Sequence, residues 1–576
     1  MRDNLDDGIH IGQKLIDEGL ITSEQLDIGL REQGKKKEFI CTTLVRLGFA
    51  SEEQVFDILS RQLNIPFVKL NDRDVEPLVI KKVPAKFAIH YKIIPLEFKN
   101  NTLVIGMSNP LDVRMLDDLR LLLGVEVKPL LATETEIDKA IRKYYGVGAD
   151  TIEKIIDQKA SADEARTDLQ EVQDIKSLFE DASIIKFVNQ ILSEAIKDRA
   201  TDIHIEPFQD ELKVRFRIDG VLYNIHIPET IKYFHSAIIS RIKIMAHLNI
   251  AEHRLPQDGR IKIKVDNEEL DLRISVLPTA FGEAIDLRIL SSGFLLELDK
   301  IGLSETNLEI IKNAIKKPNG IIFVTGPTGS GKSTTLYACL SRINSEQIKI
   351  ITIEDPIEYQ LKGVSQIQVM PKIGLDFAKG LRHILRHDPD VIMIGEVRDF
   401  ETAEIAIRSS LTGHLVLSTL HTNDAAGTVT RLLDMGVEPF LVSSSLECLV
   451  AQRLVRLICP KCKAAIDPGK KELVIKQISD NIGRGQKDIE LYEGKGCKEC
   501  RFTGYYDRTG IHEVLVINEP IRELILARAS SQQIKQKAIS QGMLTLRQDG
   551  FKKVQQGFTT ISEVIRVTQE ENLVSE

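Results

Sequence analysis

The run Ile321-Ile322-Phe323-Val324-Thr325 feeds straight into Gly326-Pro327-Thr328-Gly329-Ser330-Gly331-Lys332-Ser333-Thr334, and no other feature limits the fold as much. An apolar strand, a glycine-rich loop and then a helix-compatible stretch (Thr335-Leu336-Tyr337-Ala338) form the strand–loop–helix unit of an α/β nucleotide-binding core. The glycines let the backbone curl until its N–H groups and the helix start surround phosphate oxygens. Lys332 then reaches the outer phosphates, and the Ser333 hydroxyl serves a magnesium ion. A glycine-rich structural turn accounts for the glycines but not for Lys332-Ser333 set between them and a helix. ATP and magnesium are the expected ligands of this loop.

Such a loop needs acids on neighbouring strands, because open α/β sheets bind ligands beyond the carboxyl ends of their strands. Val391-Ile392-Met393-Ile394, launched by Asp388-Pro389-Asp390, ends in Gly395-Glu396; Glu396 is expected to hold magnesium or its water. Ile348 to Ile353 is a third strand and delivers Glu354, the candidate general base for an attacking water. A fourth, Leu415-Val416-Leu417-Ser418, is bracketed by His414 and His421, imidazoles placed to sense a γ-phosphate.

The chain has seven cysteines, an odd number that speaks against a disulfide framework. Cys459-x-x-Cys462 and Cys497-x-x-Cys500 supply the four soft ligands of a closed, structural zinc site. Neither pair opens a thioredoxin-like βαβ unit, so a redox role is the weaker reading. Cys41, Cys339 and Cys448 lie in apolar surroundings and read as packing thiols.

Upstream, an internal repeat has a constant offset of 29 residues: Leu15/Leu44, Gly19/Gly48, Gln25/Gln54, Leu30/Leu59 and Gln33/Gln62. In each copy a helix stops at the glycine, and Thr22-x-x-Gln25 or Ser51-x-x-Gln54 caps the next one. A mixed α/β segment follows, with a strand at Leu103 to Gly106 and a helix from Glu134 to Tyr144. Residues from Gly146 to Ile175 are polar and read as a solvated linker or a loose helix. Beyond them a helical stripe (Ile184, Ile185, Val188, Ile191, Leu192, Ala195) precedes alternating strands at 212–218, 261–265, 270–274 and 285–289. These predict an antiparallel sheet with one apolar face and one arginine-lined face.

At 576 residues several domains are expected, and a net charge of −8 shows no basic excess to drive nucleic-acid binding. No stretch approaches the roughly 20 apolar residues of a membrane helix, and Met1 to His10 is acidic with no apolar signal core behind it. A soluble, cytoplasmic protein is expected.

The segments GPTGSGKST from Gly326, ITIEDPIEY from Ile351, LRHDPDVIMIGEVRD from Leu385 and TGHLVLSTLHTNDA from Thr412 resemble the Walker A, Asp-box, Walker B and His-box motifs of the ATPases of type II secretion and type IV pilus assembly. ATDIHIEP from Ala200, RLPQDGR from Arg254 and TGYYDRTGIHE from Thr503 extend the likeness over Asp181 to His512. The resemblance implies a homo-hexameric motor that hydrolyses ATP and pushes on inner-membrane platform proteins, to which it is peripherally bound. Type II secretion is the first reading and pilus extension the alternative; a nucleotide-gated scaffold without turnover is a third. The resemblance also implies arginines delivered to a neighbour's ATP, at Arg273 and Arg288; Arg217 and Arg260 match less well. The N-terminal pair resembles a repeat that binds cyclic di-GMP. Its copies open with His10-Ile11-Gly12 and Phe39-Ile40-Cys41 in place of Arg-Leu-Gly, which speaks against that ligand. The expected order is a helical repeat domain (1–64), an α/β domain (65–146), a linker (147–175), a PAS-like α+β domain (176–292), a RecA-like core (293–455), a tetracysteine zinc element (456–512) and a helical C-terminal region (513–576).

Overall fold

The computed structural model describes residues 11–36, 40–70, 73–109, 113–149, 151, 173–265, 268–291, 297–467, 469 and 490–568. Two compact units divide the chain, Met1–Ile289 and Leu290–Glu576.

In the first unit the repeat becomes two helical pairs: helices over 11–17 and Ser23–Lys36, then Ile40–Arg46 and Glu52–Leu63. Gly19 and Gly48 end the first helix of each pair with left-handed φ of 71° and 76°, a conformation that strains any residue with a Cβ. Both capping boxes form; the Thr22 amide donates to Gln25 Oε1 at 2.8 Å, and the Ser51 hydroxyl accepts from the Gln54 amide. His10 and Phe39 lie outside the described residues, whereas their neighbours Ile11, Ile40 and Cys41 are buried in the core of the repeat.

A three-stranded sheet follows, β1 (Ile93–Lys99), β2 (Thr102–Met107) and β3 (Glu126–Leu131), in that order, antiparallel then parallel. The predicted strand lies within β2, and the helix Glu134–Tyr144 has its predicted bounds. Pro95 and Pro129 hid β1 and β3, because proline interrupts a strand pattern, and β1 bulges between Pro95 and Glu97. Most of the expected linker, residues 152–172, lies outside the described residues. Its first residues are packed: the Val147 amide donates to the His226 carbonyl at 2.8 Å, and Thr151 Oγ1 donates to Gln190 Oε1 at 2.9 Å.

A six-stranded sheet completes this unit: β4 (Ala200–Pro207), β5 (Leu212–Ile218), β6 (Val221–Ile225), β7 (Gln257–Val265), β8 (Glu268–Thr279) and β9 (Gly282–Ser291), ordered β6-β5-β4-β9-β8-β7. Its apolar face (Leu212, Val214, Phe216, Leu272, Leu287) shares a core with Phe187 and Ile191 of the helix Gln173–Lys197 and with Ile238 and Ile242 of the helix His235–Met245. The alternation puts Arg217, Arg273 and Arg288 on the opposite face.

The second unit is built on a seven-stranded sheet. Its strands are β10 (Gly320–Thr325), β11 (Ile350–Glu354), β12 (Val364–Gln368), β13 (Val391–Ile394), β14 (Leu415–Leu420), β15 (Leu446–Ile458) and a last one, Tyr505–Val516; β16 (Lys463–Ala465) and β17 (Tyr492–Gly494) pair as a separate ribbon. With Tyr505–Val516 as β18, the order is β12-β11-β13-β14-β10-β15-β18. All neighbours are parallel except β15 and β18. Every residue of β10 is buried, as an apolar strand covered on both faces requires. The expected limits at 455/456 and 512/513 fall inside β15 and β18. These strands form one antiparallel ribbon from Cys448 opposite Val516 to Ile458 opposite Tyr505, so the tetracysteine segment grows out of the sheet. Helices Glu519–Leu526, Ser531–Ser540, Leu546–Gln555 and Ile561–Val567 close one side: Ile521, Ile525, Ile534, Phe551 and Val564 share a core with Leu449, Val455 and Ile511. Among the described residues no helix is long and apolar enough to cross a membrane.

Candidate nucleotide site and metal centre

The parallel register brings the ends of five strands to one edge of the sheet. In strand order they present Glu354 (β11), Glu396 (after β13), His421 (after β14), the glycine-rich loop (after β10) and Arg453 (in β15). Two glycines of the loop are dictated sterically. Gly326 has φ 148°, and a Cβ there would stand 2.6 Å from the Gln452 carbonyl oxygen; Gly331, at φ 88°, precedes the helix Lys332–Ile343 and has Gln452 Nε2 at 2.7 Å from the same position. Pro327, Thr328 and Gly329 are exposed along the loop, Ser333 is exposed in the first helical turn, and Thr334 is half-buried beside it. The Ser330 hydroxyl is buried and has no hydrogen-bond partner among the described residues, which fits a donor serving an anionic oxygen.

Lys332 Nζ folds over the loop and donates to the carbonyls of Gly326 at 2.9 Å and Pro327 at 3.1 Å. Burial pushes this ammonium below its ordinary range; the Glu396 carboxylate opposes that push and the Arg453 guanidinium adds to it. Two cations thus crowd the loop, which favours a polyanion between them. Glu396 is flanked by Arg398 and by His421, whose Nε2 is 3.3 Å from Glu396 Oε2. Hydroxyls fix the His421 loop: Thr325 Oγ1 lies 2.6 Å from Thr422 Oγ1 and accepts from the Thr422 amide at 2.8 Å.

Glu354 is 4% exposed. Its Oε1 accepts from Thr352 Oγ1 at 2.5 Å and Gln366 Nε2 at 3.0 Å, and its Oε2 accepts from the Tyr337 hydroxyl. His414 is not part of this cluster. It precedes β14, whose Leu415 pairs with Gly320, so it sits roughly 20 Å from the loop end of the sheet, given ~3.3 Å per strand residue. There its Nδ1 contacts the Ser409 carbonyl at 2.9 Å. Arg273 and Arg288 belong to the other compact unit. Arg288 Nε donates to Asp202 Oδ1 at 2.8 Å, while Arg273 pairs across the sheet with Arg260.

Sequence reasoning missed Arg453, Gln452 and Tyr337. Arg453 donates to the carbonyls of Gln452 and Asn423, both at 2.9 Å, and Gln452 Oε1 accepts from Thr335 Oγ1 at 2.6 Å. The signal was present: Gln452-Arg453 follows the apolar Leu449-Val450-Ala451, the strand-then-polar pattern that singled out Glu396.

The four predicted metal cysteines converge, with all Sγ atoms within 4.8 Å of one another. Sγ separations are 3.8 Å for Cys459–Cys497, 3.8 Å for Cys462–Cys500 and 3.7 Å for Cys497–Cys500. A tetrahedron with metal–sulfur bonds of ~2.3 Å has edges of about 3.8 Å, so the donor set fits zinc. The amides of Gly496 and Cys497 donate to the sulfurs of Cys462 and Cys500 at 3.2 and 3.1 Å, partners suited to thiolates. Cys41, Cys339 and Cys448 are buried, and burial pushes each thiol up to about 12.

A glycine-rich phosphate loop beside carboxylates at parallel strand ends defines a P-loop ATPase of α/β fold. Residues 177–566 match the family described as type II/IV secretion system protein, and residues 63–151 match the MshEN domain. The chain belongs to the type II/IV secretion system protein family. The type IV pilus assembly ATPase PilB of Myxococcus xanthus is 44% identical over 560 residues, covering 96% of this chain and 98% of that one. Type II secretion system protein E of Xanthomonas campestris is 42% identical over 567 residues, 97% of each chain. The type II secretion system ATPase E of Vibrio cholerae is 42% identical over 498 residues, 85% and 97% of the two chains.

Proposed function

We propose that the chain is the ATP-hydrolysing motor of type II protein secretion, assembling a pseudopilus through an inner-membrane platform protein. Extension of a type IV pilus is the alternative, and near full-length likeness to proteins of both systems supports the two alike. The observation that carries the enzymatic reading is the line of Glu354, Glu396, His421 and the Lys332 loop along one sheet edge.

In this reading the loop amides and Lys332 hold the triphosphate, with Arg453 as a second cation in cis. Ser333 and Glu396 would hold magnesium, which compensates charge on the outer phosphates. Glu354 accepts the proton of the attacking water as the oxygen–phosphorus bond forms and ADP leaves; its Oε2 keeps acceptor capacity beside Tyr337. His421, through Glu396, reports whether the γ-phosphate is present. A homo-hexamer would let Arg273 and Arg288, on a PAS-like domain, stabilise charge at a neighbour's RecA-like site. The cysteines would hold a structural zinc, and attachment to the cytoplasmic face of the inner membrane would come through partner proteins. His10 and Phe39 stand where the related repeat opens with arginine, which removes the expected phosphate and guanine contacts and argues against cyclic di-GMP as a ligand.

The test is phosphate release by the purified full chain. Lys332→Ala should abolish it, and Glu396→Gln should keep ATP binding while losing turnover. Wild-type release no higher than that of Lys332→Ala refutes the motor. Secretin and pseudopilin genes alongside would favour secretion over pilus extension.

A further inference from the structure

Tyr337 is 1% exposed and lies five residues beyond Lys332 on the helix Lys332–Ile343. Its hydroxyl is occupied on both sides. It accepts from the Glu358 amide at 3.3 Å and donates to Glu354 Oε2. A phenol has one proton, so with the amide on its acceptor side that proton is committed to the carboxylate. Burial and the neighbouring carboxylate push this phenol above its ordinary range, so it stays a donor. The ring packs edge-on against Tyr359, with centroids 4.4 Å apart. The other two donors to Glu354, Thr352 and Gln366, both act on Oε1 and come from strands β11 and β12. Tyr337 is therefore the link, among the described residues, between the helix that carries Lys332 and the oxygen left for the water.

From this geometry we infer that Tyr337 is a positioning residue for hydrolysis: it fixes Glu354 Oε2 from the phosphate-loop helix, so that the base is in register with the loop that holds the triphosphate. The inference rests on Glu354 acting as the base.

Tyr337→Phe keeps the ring and removes the hydroxyl. In the full chain with magnesium and ATP, kcat should fall about tenfold, the effect of losing one charge-assisted hydrogen bond, while KM and the affinity for a fluorescent ATP analogue stay unchanged. Tyr359→Phe, which removes a hydroxyl beside the same ring but not one on Glu354, should turn over at the wild-type rate. A structural role and a positioning role separate in a double-mutant cycle. In a Glu354→Gln background, Tyr337→Phe should change the residual single-turnover rate less than about twofold. Tyr337→Phe at the wild-type rate, or with the same fold loss in the Glu354→Gln background, overturns the inference. Glu354→Gln at the wild-type rate overturns the base assignment and the tyrosine's role with it, a result distinct from either.

Discussion

The C-terminal helices are tied to the nucleotide sheet by a buried carboxylate whose contribution can be worked out. Glu563 has a side chain 2% exposed; it pairs with Arg456 of β15 at 2.6 Å and with Arg566 at 2.7 Å. Burial alone would raise its pKa, but hydrogen bonds from the two guanidinium groups outweigh burial and hold the carboxyl at about 2, against an ordinary 4.5. At about 1.4 kcal/mol per decade, ionised Glu563 contributes roughly 3 kcal/mol at neutral pH. That agrees with the ~3–5 kcal/mol lost when one partner of a buried ion pair is removed and the other stays behind. Glu563→Gln should therefore lower the stability of the sheet unit by about 3 kcal/mol near pH 7. Because the folded-state pKa is depressed, the contribution is complete above about pH 4.5 and is lost as pH falls towards 2. The wild-type and variant curves should converge across that window. Urea unfolding followed by far-UV circular dichroism and tyrosine fluorescence measures this, since the chain has no tryptophan. A variant within about 0.5 kcal/mol of wild type at neutral pH, or two curves that stay parallel as the medium is acidified, refutes the reasoning.

Arg273→Ala and Arg288→Ala should each lower turnover of the assembled protein while leaving ATP affinity of the isolated subunit intact; equal activity of variant and wild-type assemblies rules out their action on a neighbour's ATP. Elemental analysis should find about one zinc per chain, and Cys462→Ser together with Cys500→Ser should remove it; a metal-free wild-type protein with an intact fold sinks the zinc assignment.

The parts legible in the sequence are those where chemistry and periodicity are local. The P-loop announces itself because strand, glycines and lysine are contiguous. The alternation at 212–218 and 285–289 gave the arginine face directly, since period two leaves no other arrangement for a half-buried strand. The Glu354 network was illegible because Tyr337, Thr352 and Gln366 meet only once the helix and two strands are packed. His414 misled for a related reason: flanking a strand in sequence does not say which end of the sheet a residue occupies, and only the parallel register with β10 settles it. The β15–β18 ribbon was hidden because its two halves are separated by the cysteine segment, and metal-ligand spacing drew the domain limits into the strands themselves.

The short ribbon of β16 and β17 has a practical consequence. Ala465 and Tyr492 face each other across it, and the cysteine cluster lies just outside, so the chain leaves and re-enters this element through one fixed doorway. Loop-closure entropy grows only slowly with length once the ends are pinned. A fluorescent or epitope reporter spliced between Asp467 and Glu490 leaves the paired strands, the cysteines and the buried Leu491 untouched, giving a handle for following ATP turnover by the tagged chain.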